Sequence, residues 1–374
     1  MLPKIHLHCH LEGALRAPTF LEFAAKHGVE TTYRPQRSGA FSSNGTMASA
    51  SVHTAEDVYR FSDFKEFLLT FAAISRSLCD PDDYARLARE FAEDALAQGV
   101  IYGELFISPS VWQFFHPEID VRACIQAIFS ELNAATASGT GDEFPNGTGD
   151  EFPKFKLIVD LTRNFGVESA MRSAKLALES TDVGVIGIGL GGDEANYPPE
   201  LFADAFAFAR ANGLHCVAHA GEAAGPQSIR NAVDYLHVER IGHGIRALED
   251  AAVTRLLAER AIPLEVCPTS NFLTGAVPGG SVDAMATHPI LELDAAGCII
   301  VVDVDDPAIF RTSISQEYEN VASLAGEATL TRFVANAIEA SFAEKRHKAN
   351  MLEVLKEKMS SGGSAEVMKD NVRA

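Results

Sequence analysis

The stretch Leu214-His215-Cys216-Val217-Ala218-His219-Ala220-Gly221-Glu222 runs from an apolar segment into a histidine, a turn and a carboxylate. Residues 214–218 read as a buried strand, because a short apolar run bounded by turn residues suits a sheet covered on both faces. A strand that ends in His219 and turns through Gly221 into Glu222 is poor packing material but sound chemistry. It sets a candidate metal ligand just before a candidate proton donor. The pattern of apolar run and then polar cluster returns at His8/His10, at 191–194, at His243 and at Asp305/Asp306.

Apolar or β-branched runs recur at residues 5–7, 100–107, 155–161, 183–190, 214–218, 240–241, 262–266 and 298–302. Segments of helical periodicity lie between them, among them 82–98, 169–179, 199–211 and 249–259. Strands alternating with helices predict an α/β protein with a parallel sheet. Eight runs predict its closure into a (β/α)8 TIM-type barrel, with a doubly wound open sheet as the alternative. Such a barrel carries its chemistry at the C-terminal ends of its strands, and the polar clusters stand there.

The 374 residues suffice for one large barrel with loop insertions. A content of 47% hydrophobic and 22% charged residues is the balance of a globular protein with an ample core. Lys and Arg number 31 against 51 Asp and Glu, a net charge of −20. Such a surface repels phosphate backbones and anionic lipid, which argues against nucleic acid and membrane as partners. No apolar stretch approaches the roughly 18 residues of a membrane span. The six cysteines (Cys9, Cys79, Cys124, Cys216, Cys267, Cys298) form no C-x-x-C pair and read as reduced thiols of a cytoplasmic protein. Met1-Leu2-Pro3-Lys4 leads directly into a strand, with no signal peptide.

Residues 31–55, rich in Ser, Thr, Gly and Ala, are expected to form a surface insertion. Gly-Thr-Gly-Asp-Glu-Phe-Pro occurs at both 139–145 and 147–153, which marks an expanded loop over 138–154 and not an architectural repeat. A single catalytic barrel over 1–345 is followed by a charged helix and a flexible tail over 346–374. A helix over 56–78 carries Phe61, Phe64, Phe67, Leu68 and Phe71. It either packs this face on the barrel or forms a lid over the C-terminal face, with Phe61 and Phe64 closing on a substrate ring.

On a strand, residues two apart share a face, so His8 and His10 both point into a barrel interior, where two imidazoles suit a divalent metal. His6 shares that parity but lies deeper and reads as a hydrogen-bonded core histidine. His219 adds a third imidazole and Asp305 a carboxylate, a donor set with the chemistry of a catalytic zinc site. A zinc-bound water has its pKa lowered towards ~7. Asp306 before Pro307 is either a helix N-cap or a group that touches substrate. His243, between Gly242 and Gly244, is either structural or a general base or electrostatic stabiliser. Glu222, if buried beside the metal, holds a proton for a ring nitrogen; otherwise it is a first-turn glutamate favoured by a helix dipole. Gly187, Gly189 and Gly192 fit G-x-G-x-x-G formally, but they lie within the fourth strand, and Gly192 suits a backbone N–H that reaches a flat substrate.

Six motifs follow one another along most of the chain: His8-Cys9-His10-Leu11-Glu12-Gly13, Gly191-Gly192-Asp193-Glu194, His219-Ala220-Gly221-Glu222, Ile241-Gly242-His243-Gly244, Cys267-Pro268-Thr269-Ser270-Asn271 and Asp305-Asp306-Pro307. In this order they resemble the adenosine deaminase family, zinc-dependent purine aminohydrolases of the amidohydrolase superfamily. The resemblance implies a (β/α)8 barrel with one Zn2+ per subunit, held by His8, His10, His219 and Asp305. It also implies that Glu222 protonates N1, that His243 orients the attacking water and helps to deprotonate it, and that Asp305 takes part in catalysis. Asp306 would bond N7 and the Gly192 amide N3, while hydroxide adds at C6 and ammonia leaves.

Two positions depart from that pattern. Glu12, a candidate substrate-binding residue, stands where the well-known adenosine deaminases carry an Asp that reaches the sugar hydroxyls. Relatives that act on adenine or on 6-aminodeoxyfutalosine can also have Glu there. Phe106 occupies a strand position that is often basic in the animal members. The expected reaction is hydrolytic deamination of adenosine and 2′-deoxyadenosine to inosine and 2′-deoxyinosine, with adenine or 6-aminodeoxyfutalosine as alternative substrates of the same chemistry. A binding protein that keeps the barrel without turnover is a further reading, against which the presence of Glu222 and every ligand speaks. A zinc hydrolase for esters or amides would call for a strand-end Lys that the chain lacks.

Overall fold

Parallel pairing runs in chain order from β1 (Lys4–His10) through β2 (Val100–Ile107), β3 (Lys154–Thr162), β4 (Val185–Gly191), β5 (His215–Ala220), β6 (Arg240–His243), β7 (Leu264–Val266) and β8 (Ile300–Val302). The computed structural model describes residues 2–29, 58–61, 64–137, 154–277 and 282–361. Every residue of β1 and β2 is buried, as a sheet covered by helices outside and filled by side chains inside requires. The eight strands form a nearly closed TIM-type barrel.

The seam between β8 and β1 is closed by one backbone bridge and one side chain. Cys9 and Asp305 form a single parallel bridge, in which His10 N donates to Asp305 O at 2.8 Å and Asp305 N to His8 O at 3.0 Å. Deeper down, the Asp303 carboxylate accepts from the backbone N–H of Leu7 at 2.5 Å and of His8 at 2.7 Å. It also faces His6 Nδ1 at 2.7 Å, so His6 is a hydrogen-bonded core histidine.

Several strands start later than the apolar runs suggest, because local chemistry claims their first residues. Residues 181–183 form a 3-10 turn and Gly184 adopts φ 83°, so β4 starts at Val185. Pro263 has no N–H to give a ladder, and β7 starts at Leu264. Cys298 N bonds Leu293 O at the end of the preceding helix, which leaves β8 only Ile300–Val302. The helix expected over 199–211 is a 3-10 turn, Pro199–Phe202, followed by a helix over Ala203–Ala211.

A helix over Phe64–Ser77 lies across the C-terminal mouth as a lid, shorter than the expected 56–78. The C-terminal helix Lys345–Ser361 is no appendage: Met351, Val354 and Leu355 are buried in the main core. The expected insertion at 31–55, the duplicated heptapeptide and the tail beyond 361 lie outside the described residues; of the loop expected over 138–154, Lys154 opens β3.

Candidate active site

His8 and His10 leave β1 on its inner face, His219 comes from β5, and His243 ends β6. Asp305 and Asp306 follow β8, and Glu222 lies in the bend after β5. Ligand atoms of His8, His219, His243 and Asp305 lie within 4.8 Å of one another. His10 Nε2 is 3.1 Å from His219 Nε2, and Asp305 Oδ1 is 3.4 Å from His10 Nε2 and 3.5 Å from His8 Nε2. His243 (φ 61°) and Asp305 (φ 66°) hold left-handed backbone that non-glycine residues avoid, strain of a kind that concentrates at functional sites.

Second partners fix the tautomers. His8 Nδ1 donates to Glu265 Oε2 at 2.8 Å, and His219 Nδ1 donates to the Leu190 carbonyl at 3.1 Å. Each Nδ1 therefore carries the proton, and each Nε2 turns a lone pair to the centre; His8 Nε2 has no hydrogen-bond partner among the described residues. Burial pushes His10 down to about 4 and His219 well below the usual range, the neutral state that binds metals. Burial also opposes a charged His8, yet the carboxylates of Asp305 and Glu265 close by raise it to about 10, so this point of the site calls for positive charge. Ser270 Oγ donates to Asp305 Oδ2 at 2.6 Å and orients it. Converging imidazole lone pairs, a carboxylate and a carboxylate behind one imidazole fit a divalent cation.

His243 is prepared differently. Ile290 N–H donates to His288 Nδ1 at 3.2 Å, and His288 Nε2 donates to Asn271 Oδ1 at 3.2 Å. That turns Asn271 Nδ2 towards His243 Nδ1 at 2.9 Å. His243 Nδ1 is then an acceptor and Nε2 carries the proton, 3.5 Å from Glu222 Oε2 and 3.9 Å from Asp305 Oδ2. At Nε2 His243 therefore presents a donor.

Glu222 stands in a bend and not in the first turn of a helix. Buried Glu194 holds that bend: its carboxylate accepts from the backbone N–H groups of Gly221, Glu222, Ala223 and Ala224 at 2.6–3.1 Å. Burial, with Asp305 and Glu194 close by, pushes the Glu222 carboxyl up to about 8.

These groups open on a cavity of about 250 Å³. Phe67, Leu68 and Phe71 of the lid line it, as do Phe114, Phe115 and Phe165. Gly192 and Asp306 line it as well. Asp306 precedes the helix Pro307–Phe310 but makes no side-chain cap bond, and its Oδ1 is buried without a hydrogen-bond partner among the described residues. Phe61 stands behind the lid, packed on Phe67 and Phe310 and not on the cavity. The backbone of Phe64 opens the lid helix, and its side chain lies outside the described residues. Phe106 stacks on His10 with ring centroids 4.9 Å apart. Glu12 is buried behind the wall.

A family model for adenosine deaminase matches residues 3–358. The chain belongs to the adenosine deaminase family. An adenine deaminase of Chelativorans sp. (strain BNC1) is 33% identical over 358 residues, 95% of this chain and 98% of that one. An aminodeoxyfutalosine deaminase of Streptomyces coelicolor is 35% identical over 354 residues, 94% of this chain and 82% of that one. The crystal structure of an amidohydrolase from Burkhoderia ambifaria with bound Zn has a TM-score of 0.79 at 28% identity, covering 96% of this chain and 91% of that one.

As a member of the adenosine deaminase family the chain is a deaminating hydrolase. Its barrel also holds residues around the site for which the motifs implied no role. Arg240 bridges Glu265 and Glu104 as a buried ion pair, so the partner of His8 is itself anchored. Asn271 and His288 set the His243 tautomer, and Asp160 lines the cavity. The signal for three of them was present: Glu104, Asp160 and Glu265 each interrupt an apolar run that reads as a fully buried strand.

Proposed function

We propose that this member of the adenosine deaminase family removes the 6-amino group of a free base, adenine, giving hypoxanthine and ammonia. The observation that carries the choice of substrate is the state of Glu12. Its Oε1 already accepts from Ser108 N–H at 2.8 Å and from the Trp112 indole N–H at 2.7 Å, its Oε2 has no partner among the described residues, and the residue is 1% exposed and outside the cavity lining. A carboxylate tied into the wall by two donors is poorly placed to reach a sugar. The relative named adenine deaminase supports the same choice, so the adenosine reading of the sequence gives way to its alternative. A 6-aminodeoxyfutalosine substrate is the second reading, supported by the 35% identical relative of that name.

His8, His10, His219 and Asp305 would hold one zinc ion, a choice of metal supported by the Zn-bound relative. Bound there, zinc supplies a water of lowered pKa, ~7 in well-studied sites. The chain's own groups do the rest. Glu222 carries a proton at neutral pH and delivers it to N1 as C6 becomes tetrahedral. Burial and the adjoining Asp305 push Asp306 well above the usual carboxylate range, so it holds a proton for N7. Gly192 N–H meets N3. His243 Nε2–H donates to the oxygen arriving at C6, and Asp305 Oδ2 accepts that oxygen's proton and returns it to the departing amine. Phe67, Leu68 and Phe71 keep bulk water from the ring. Six free cysteines suit a reducing, cytoplasmic setting.

The experiment is incubation of the metal-replete protein with adenine in 18O-labelled water. Ammonia together with hypoxanthine labelled at C6 is expected. A fully metallated protein that releases no ammonia from adenine would refute the proposal.

A further inference from the structure

Two glycines of β4 have one side chain as a common neighbour. Asp160, on β3, pairs in register with Gly189. A Cβ at Gly189 would stand 3.0 Å from Asp160 Oδ1, and one at Gly191 would stand 2.5 Å from Oδ2. β4 lacks side chains at these two places, and the carboxylate lies across the gap. Asp160 is 4% exposed and lines the cavity, and its Oδ1 has no hydrogen-bond partner among the described residues. Arg163 gives its terminal N–H groups to the carbonyls of Tyr197 and His219, and its Nε bonds neither this carboxylate nor any other group among the described residues. A buried carboxylate oxygen with no donor is costly, and native structures rarely leave one so. A ligand N–H arriving in the cavity would supply the missing donor.

Place decides which ligand atom supplies it. With Gly192 N–H at N3, a carboxylate against Gly191 faces the same edge of the purine, where N9 is one ring carbon away from N3. Free adenine carries a hydrogen on N9, and a nucleoside carries its sugar there. Resting on the adenine reading, we propose that Asp160 is a specificity-determining residue whose carboxylate accepts the N9–H of the unsubstituted base while the Gly192 amide donates to N3. Burial, with the Glu12 carboxylate near by, pushes Asp160 up to about 7, so its ionised form is present at neutral pH and gains from a donor. A nucleoside would leave that carboxylate unpaired and press C1′ against it. Sites built to bond a substrate N–H reject analogues that lack it.

The experiment varies the side chain and the ligand hydrogen together. Binding of hypoxanthine and of 9-methylhypoxanthine is measured by calorimetry for the wild type, Asp160→Ala and the isosteric Asp160→Asn, beside kcat/KM for adenine and 9-methyladenine. The wild type is expected to prefer the N9–H ligand by ~10-fold or more, and Asp160→Ala to narrow that preference to within ~2-fold. Asp160→Asn, whose amide oxygen still accepts, is expected to keep part of it. A preference unchanged in both variants, or an equal loss for both ligands, would overturn the inference. A wild type that releases no ammonia from adenine defeats the adenine reading itself. A wild type that does so, with its N9 preference intact after Asp160→Ala, defeats this inference alone.

Discussion

His10 Nε2 and His219 Nε2 face each other at 3.1 Å, while the other ring nitrogen of His219 is committed to the Leu190 carbonyl. Two imidazole nitrogens aimed at one point beside the Asp305 carboxylate would form a ligand pair of the proposed metal site. His219→Ala is therefore expected to drop bound metal from about one equivalent to under ~0.1 per chain, since losing one of four ligands cripples such a site. Elemental analysis of the purified variant checks this, and near-stoichiometric metal would show that the ligand set is wrong.

Glu222 touches the reacting end of the cavity without belonging to the ligand set. Glu222→Gln keeps its shape and removes its proton, so kcat is expected to fall by ~10²–10⁴-fold with metal content unchanged. Steady-state rates and metal analysis on the same preparation decide it. Near-normal kcat would remove Glu222 from the donor role.

The pH profile carries a sign. Burial, reinforced by Asp305 and Glu194, raises the Glu222 carboxyl to about 8. Its acid form is fully present below that pH and is lost as pH rises through it. We expect kcat to be level near neutrality and to decline above about pH 8, with that limb absent from the residual activity of Glu222→Gln. An identical limb in the variant would assign it to another group.

Asn271 donates to His243 Nδ1 at 2.9 Å and so keeps the proton on Nε2. Asn271→Asp replaces that donor with an acceptor and moves the proton to Nδ1. A wrong tautomer at an otherwise intact site is severe, and a loss of ~10²-fold or more in kcat is expected with KM little changed. NMR of the ring nitrogens reports the tautomer directly, and unchanged turnover with the tautomer switched would contradict this role for His243.

Glu265 serves both the site and the fold, because it accepts from His8 Nδ1 and pairs with Arg240 inside the barrel. Glu265→Ala leaves Arg240 with Glu104 as its remaining carboxylate partner. Breaking a buried pair costs ~3–5 kcal/mol, and removing a histidine's second partner weakens metal binding by ~10–100-fold. Urea unfolding and a metal titration measure the two effects separately. A stable variant with unaltered affinity would exclude both roles.

The barrel was legible where a residue's neighbours along the chain decide its fate. Val100–Ile107 forms a strand over the span that its apolar run predicts, whereas β7 and β8 are shorter because Pro263 and Cys298 answer to the preceding loop and helix. His8, His10, His219 and Asp305 were readable from their places at strand ends. Asp303 and Arg240 were not, since a charge at the end of a short run looks solvated until the strands beside it supply its partner. The role of Gly189 and Gly191 was hidden for the same reason, since their neighbour Asp160 sits on another strand. Phe61, a candidate either for packing or for closing on a substrate, packs on Phe310, a contact far away in sequence.

The measurement that tests the central claim most directly is kcat/KM of the zinc-replete protein for adenine and adenosine, determined side by side with 2′-deoxyadenosine and 6-aminodeoxyfutalosine. With Glu12 tied to Ser108 and Trp112, the free base is expected to be preferred over adenosine by ~100-fold or more. A preference for adenosine would mean that this carboxylate releases its wall partners to bind a ribose, and would contradict the account.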